Sequence, residues 1–237
     1  MRQKSNINLY LIPNRLSESC FHDVLPQNVI KTIHGLQNFI VEDIRSARRF
    51  LSKIKHPEKI DNLLFRELNE HTSETDIENL QPFLLSADAG IITEAGVPGV
   101  ADPGAAIVQL AHKNKIKVIP LVGPSSILLA LMASGLNGQS FAFVGYLPVK
   151  KNERQEKIRF LERRSHSEKQ TQIFIETPYR NNQLLEDILI CCRLSTMLTI
   201  AADITGENEY IVTKTIKEWK TKMPELHKIP TVFLICS

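Results

Sequence analysis

The residues whose types and spacing bear most directly on chemistry lie in one stretch, TEAGVPGVADPG, from Thr93 to Gly104. Gly96, Gly99 and Gly104 permit backbone turns closed to other residues, and they let main-chain N–H groups approach a ligand with no side chain between. Asp102 and Pro103 fit the N-cap and first-turn positions of a helix that begins AAIVQLAHKN. The local order is therefore strand, glycine-rich crossing, capped helix. In an open α/β sheet, ligands bind beyond the carboxyl ends of the strands, and this crossing lies at such an end. The competing reading is that Gly and Pro only shape a tight connection and Asp102 only caps. Neither GxGxxG nor GxxxxGK[ST] occurs, which argues against ordinary nucleotide cofactors and triphosphate chemistry.

The elements that must position this loop are short β-branched or aromatic runs alternating with stretches of helical period, the signature of βαβ units around a largely parallel sheet. The fold class is α/β. In the first half the runs predict strands near Asn8 to Ile12, Asn38 to Val41, Asn62 to Phe65, Gly90 to Thr93 and Lys117 to Val122. From Ile44 to Ile54 an amphipathic helix puts Ala47, Phe50, Leu51 and Ile54 on one face and Arg45, Arg48, Arg49 and Lys53 outside it. The Gly-Pro punctuation of VGPSS opens a new apolar helix, Ile127 to Ser134, ended by Gly135, and marks the expected boundary between lobes of residues 1–122 and 123–237. Beyond it, strands are expected near Phe141 to Gly145, Gln172 to Glu176, Met197 to Ala202, Tyr210 to Thr213 and Thr231 to Cys236, with helices near Asn152 to Arg163 and Asn181 to Cys192. This half is the richer in antiparallel possibilities.

Composition sets bounds. The 237 residues, 43% hydrophobic and 23% charged, suffice for a sizeable core. A net charge of +3 neither proves nor discourages a polyanionic partner. Cys20, Cys191, Cys192 and Cys236 lack the paired spacing of a zinc site, so reduced, mostly buried thiols and no metal are expected. Met1 to Asn8 carries no apolar signal core, and no segment approaches the roughly 20 apolar residues that cross a bilayer, so a cytoplasmic address and no membrane are expected.

TEAGVPGVADPG resembles the SDAGTPGISDPG loop of the RsmI-type ribosomal RNA 2′-O-methyltransferases, of the tetrapyrrole-methylase superfamily. Further pieces follow in family order: LYLIPN, VEDIRSARRFL, VIPLVGPSSILLALMASGL, FAFVGYLPVKKNER and FIETPYR. The resemblance implies two α/β subdomains with S-adenosylmethionine bound in the cleft between them, a homodimer, and small-subunit ribosomal RNA as substrate, methylated on a cytidine ribose. Carried over by position, the donor pocket involves Glu94, Ala95, Gly96 and Gly99, with Val100 nearby, Pro13 and Asn14 of the first loop, Ser125 and Ser126, Glu176, and the turn Asp203, Ile204 and Thr205. Each has a structural alternative: Ser125 as an N-cap, Glu176 as a strand-end ion-pair partner, Thr205 as a turn residue.

The sequence also departs from the family. LIPNRLSES has no glycine where the family's first loop reads roughly ATPIGNLGD, the SDAG aspartate is Glu94, and AEDTR has become VEDIR from Val41 to Arg45. These departures keep two alternatives open, methylation of a tetrapyrrole-like small molecule and a non-catalytic donor-binding relative. A ribose hydroxyl is a poor nucleophile until its proton leaves, so a carboxylate near the methyl group would help; Glu176 and Asp102 are the candidates. Two basic clusters, Arg45, Arg48 and Arg49, and the run from Lys150 to Arg164, offer phosphate contacts or merely solvated helix faces. Phe174, Tyr179 and Trp219 lack the interleaving of a stacking groove and read as core or rim.

Overall fold

The computed structural model describes residues 7–18, 21–69 and 72–237, and Cys20 and the polar start through residue 6 lie outside that range. The chain divides into two compact units, Met1–Pro124 and Ser125–Ser237.

The first unit is a five-stranded sheet of β1 (Asn8–Ile12), β2 (Asn38–Val41), β3 (Leu64–Glu67), β4 (Ala89–Ile92) and β5 (Lys117–Pro120), in the order β3-β2-β4-β1-β5. Every pairing in it is parallel. Parallel strands covered on both faces must be apolar throughout, and the central β2 (NFIV) and β4 (AGII) are buried at every position. The edges β3 (LFRE) and β5 (KVIP) carry charge and a terminal proline, which suits strands with one unpaired side. Helices α1 (Phe21–Val24), α2 (Gln27–His34), α3 (Ile44–Lys53), α4 (Glu74–Asn79), α5 (Gln81–Leu84) and α6 (Gly104–Lys113) make the connections. The predicted amphipathic helix is α3: Asp43 caps it, accepting from Ser46 N at 2.6 Å, and Ala47, Phe50 and Leu51 are its buried face.

β3 begins at Leu64, not Asn62, because Ile60–Asn62 coils into a 3₁₀ turn that consumes the first residues of the expected strand. The strand expected to reach Val122 stops at Pro120. The expected N-cap also moves. Asp102 accepts from Gly104 N, the first residue of α6, but the residue in the cap position is Pro103, because the Asp102 carboxylate is shared with the loop itself.

The second unit holds β6 (Phe141–Tyr146), β7 (Thr171–Ile175), β8 (Met197–Ala202), β9 (Tyr210–Thr215) and β10 (Thr231–Cys236), ordered β6-β7-β10-β8-β9. Only β6 and β7 pair in parallel; the other neighbours are antiparallel, as the sequence suggested. Around it lie α7 (Ser126–Ser134), α8 (Lys151–Glu168), α9 (Asn181–Cys191) and α10 (Ile216–Trp219). Gly135 ends α7 in the left-handed region at φ 69°, where a side chain would be strained. A buried ion pair joins α8 to α9: Arg154 and Asp187 meet at 2.6 Å with side chains 5% and 3% exposed, and Gln155 donates to the other Asp187 oxygen at 2.7 Å.

Trp219 is wholly buried in this unit's core, its Nε1 donating to the Leu198 carbonyl at 2.9 Å and the Lys214 ammonium lying 4.8 Å from its ring centre. Phe174 stacks on Phe233 in the same core, whereas Tyr179 is exposed. Cys191, Cys192 and Cys236 are free, and burial pushes the Cys192 thiol far above the ordinary range. No helix among the described residues is long and apolar enough to cross a membrane, and no cluster of metal-ligating side chains occurs among them.

Candidate functional site

In the first unit, the chain leaves β1 towards β2 on one side of the sheet's order and leaves β4 towards β5 on the other. Adjacent strands whose connections depart in opposite directions open a crevice at their carboxyl ends, which is where open α/β sheets bind ligands. Both sequence-predicted loops of this unit sit there. They are fastened together by an antiparallel bridge: Asn14 N donates to Gly96 O at 2.8 Å, and Gly96 N to Asn14 O at 3.2 Å. The Asn14 side chain adds two bonds, its Nδ2 donating to Thr93 O at 3.0 Å and Glu94 O at 3.2 Å. Gly96 accepts this geometry at φ 74°, and an added Cβ would stand 3.3 Å from Leu16 Cδ2. The first loop therefore manages without its own glycine by borrowing the turn of the second.

Farther along, Gly99 sits at φ 80° and Ala101 at φ 59°, so the loop reverses twice within a few residues. Asp102 Oδ1 holds that reversal closed, accepting from Gly99 N and from Gly104 N, each at 2.7 Å. Its loop-fastening role is thus larger than capping. Several main-chain N–H groups of the loop are already engaged within the protein: Gly96 by Asn14, Gly99 by Asp102 and Glu94 by Glu42. Beside it opens a cavity of about 410 Å³, whose lining includes Asn14, Glu94 and Ala95 together with Arg15, Arg49 and Lys53. That size suits a small organic ligand. Pro13 is buried, and its ring approaches Gly123 so closely that a Cβ there would meet it at 2.3 Å. Val100 is exposed and does not line this cavity.

Sequence reasoning did not single out Glu42. It follows β2, and because β2 pairs with β4 the parallel register sets it beside the start of the loop. Its Oε1 accepts from Thr93 Oγ1 and from Glu94 N, both at 3.2 Å. Burial pushes its carboxyl up, and the negative charges of Asp102 and Glu94 push the same way, against the two hydrogen bonds that favour the anion. Partial burial also raises Glu94, with Asp43 adding to the rise and a Ser46 hydrogen bond and Arg49 opposing it. No signal within VEDIR announces this role, since it depends on a pairing between strands about fifty residues apart.

The remaining predicted residues belong to the second unit. Ser125 occupies the N-cap position of α7, but its side chain makes no capping bond. Ser126 is the first residue of that helix. Glu176, the residue directly after β7, is a buried carboxylate: Oε1 accepts from Thr177 N at 2.7 Å and from Arg180 Nη2 at 2.6 Å, while Oε2 has no hydrogen-bond partner. Thr205, at φ 66°, lies with Asp203, at φ 48°, in the tight turn after β8, and its N–H donates to Glu209 Oε2 at 2.8 Å.

Comparison with known proteins gives the site a context. The chain is 30% identical over 190 residues to ribosomal RNA small subunit methyltransferase I of Halalkalibacterium halodurans, covering 80% of this chain and 62% of the relative. It is 29% identical over 204 residues to the protein of that name from Vibrio cholerae, covering 86% and 67%, and 31% over 193 residues to that of Streptococcus pyogenes, covering 80% and 62%. The chain thus spans somewhat under two thirds to about two thirds of these relatives' lengths. The solved methyltransferase CobJ has a TM-score of 0.63 and 14% identity, over 98% of this chain and 93% of its own, which shows a shared fold. No family model matches the chain.

Proposed function

We propose that the chain is an S-adenosylmethionine-dependent methyltransferase of the tetrapyrrole-methylase superfamily, acting on a cytidine ribose 2′-hydroxyl in small-subunit ribosomal RNA, a reading supported by its similarity to ribosomal RNA small subunit methyltransferase I. The observation that carries this reading is the bridge between Asn14 and Gly96, which fastens the two loops at the switch point of a parallel sheet. The fit to a donor rests on size and position. The 410 Å³ cavity is large enough for part of the donor and borders the loop at Glu94 and Ala95, its lining carrying Glu18 and Glu94 together with Arg15, Arg49 and Lys53. Strict alignment of donor and acceptor supplies much of the rate.

We assign donor binding to Asn14, Glu94 and Ala95, which line the cavity, and, following the family pattern alone, to Pro13, Gly96, Gly99, Val100, Ser125, Ser126, Glu176 and Thr205. When bound, S-adenosylmethionine would supply an electrophilic methyl group to the ribose oxygen and leave as the neutral thioether, and the hydroxyl proton would pass to a carboxylate of the protein. Of the two candidates, Glu176 keeps an unpartnered oxygen, Oε2, whereas one oxygen of Asp102 is committed to two backbone N–H groups. Glu176 is therefore the base we assign, and Asp102 the loop fastener. The family pattern also supports a homodimer.

Calorimetric titration with S-adenosylmethionine tests the donor, with saturable binding to the folded chain expected. Mapping ribose methylation in small-subunit RNA of cells with and without the gene tests the acceptor. An unchanged map together with donor binding points to a small-molecule acceptor, and absence of donor binding to a non-catalytic relative.

A further inference from the structure

The two basic clusters of the sequence differ once folded. On α8, six cations share the helix with four glutamates, and many of its charges are already satisfied. Arg154 is buried against Asp187, Arg164 pairs with Glu168 at 3.1 Å, and Lys157 lies 5.1 Å from the Phe160 ring centre. By contrast α3, IRSARRFLSK, contains no acidic residue. Its cations Arg45, Arg48, Arg49 and Lys53 recur at helical spacing, so they form one exposed face opposite the buried Ala47, Phe50 and Leu51.

That face lines a groove of about 1070 Å³ in which Asp43 and Glu67 are the acidic lining residues. Arg49 and Lys53 also line the 410 Å³ cavity that ends at Glu94 and Ala95. Groove and cavity thus share two cations and lead from the surface to the glycine-rich loop. The ion pairs that Arg48 makes with Asp61, and Lys53 with Glu18 at 3.6 Å, use carboxylates 84% and 89% exposed. Exposed pairs of this kind hold weakly, so a stronger anion can replace them.

We propose that the outer face of α3 is the track along which the acceptor RNA strand reaches the donor loop, its phosphates lying against Arg45, Arg48, Arg49 and Lys53. The partner is a nucleic-acid backbone met through its phosphates, because the cations follow one another along a helix that carries no interleaved aromatic residue for base stacking apart from the buried Phe50. The face supplies affinity and direction, not sequence choice. This inference rests on the RNA reading proposed above.

The test compares the intact protein with two variants of equal charge loss, Arg45→Gln/Arg48→Gln on α3, whose residues line the groove and not the donor cavity, and Arg163→Gln/Arg164→Gln on α8. Binding of a short cytidine-containing RNA oligonucleotide is measured against salt, with circular dichroism and S-adenosylmethionine titration as controls. The α3 variant is expected to lose roughly tenfold to thirtyfold in RNA affinity near 0.1 M salt, with its log–log salt slope shallower by about 1.4, since each single-strand phosphate contact contributes about 0.7. The α8 variant should keep the parent slope. If the double α3 variant fails to fold, the exposed single substitution Arg45→Gln should still make the slope shallower by somewhat under one. An unchanged slope in a folded, donor-binding α3 variant overturns the track alone. Poly-glutamate binding as tightly as RNA of equal charge also overturns it and reassigns the face to an acidic protein. Failure of the parent protein to bind the donor would instead count against the proposed function.

Discussion

At the scale of single residues, the loop is held by contacts that tolerate little change. Gly99 sits at φ 80° with its N–H bonded to Asp102, so Gly99→Val would force a β-branched residue into the left-handed region at a cost of about 1–2 kcal/mol or more. The expected outcome is a folded protein that no longer binds S-adenosylmethionine in a calorimetric titration; normal binding would remove the loop from the donor site. Glu176→Gln is expected to lower the methylation rate by roughly 10²- to 10⁴-fold and donor affinity by much less, the pattern of a lost proton acceptor at a site that also touches the donor. Equal loss of rate and donor affinity would make Glu176 a binding residue only.

Glu42 offers a titration test. Its folded carboxyl is raised above the usual carboxylate range, chiefly by burial. A group raised on folding contributes stability that is complete below its unfolded pKa, about 4.3, and is lost as pH rises through the folded value. Glu42→Gln keeps an oxygen to accept from Thr93 and Glu94 but cannot ionise. The melting temperature of the parent minus that of the variant should therefore be larger near pH 4.5 than at pH 7, and parallel curves across that range would show that Glu42 bears no such burden. This residue also marks the limit of the sequence reading. Asn14, Glu94 and Gly96 were reachable by resemblance, but Glu42 acquires its contacts only when β2 settles next to β4.

Among the elements, legibility followed the strength of local pattern. The limits of β1, β2, β8 and β10 coincide with the apolar runs that predict them, because each run ends at a polar residue or a turn. The short α4 and α5 were not foreseen, since six and four residues are too few to show a helical period. Nor could charge counting separate α3 from α8. The second helix buries one of its arginines in a pair with Asp187, a partner some thirty residues away that periodicity cannot indicate. Asp187→Ala should cost about 3–5 kcal/mol by leaving Arg154 charged and unpaired in the interior, whereas Arg154→Met with Asp187→Leu should cost much less. Chemical denaturation of the three proteins checks the order, and equal losses would refute it.

For the molecule as a whole, a donor that binds only the folded chain must raise its melting temperature. At a concentration one hundred times Kd the linkage is about 2.7 kcal/mol, roughly 5–10 °C for a chain of this length. A thermal scan with and without S-adenosylmethionine reads the shift, and no shift at saturation would contradict the donor assignment. The sequence conveyed the α/β class and the change from parallel to antiparallel pairing. It did not convey the strand order β3-β2-β4-β1-β5, which sets the switch point. That order follows from which apolar faces close over one another, a property of the assembled sheet and of no single segment.

The single tryptophan of the chain, Trp219, is enclosed in the core of the second unit, and the first unit contains none. Its fluorescence is thus a local reporter, shifting to the red only when the half of the chain from Ser125 onward opens to water. Ellipticity follows both halves, so recording the two signals along one denaturant series resolves whether the halves melt together or in turn.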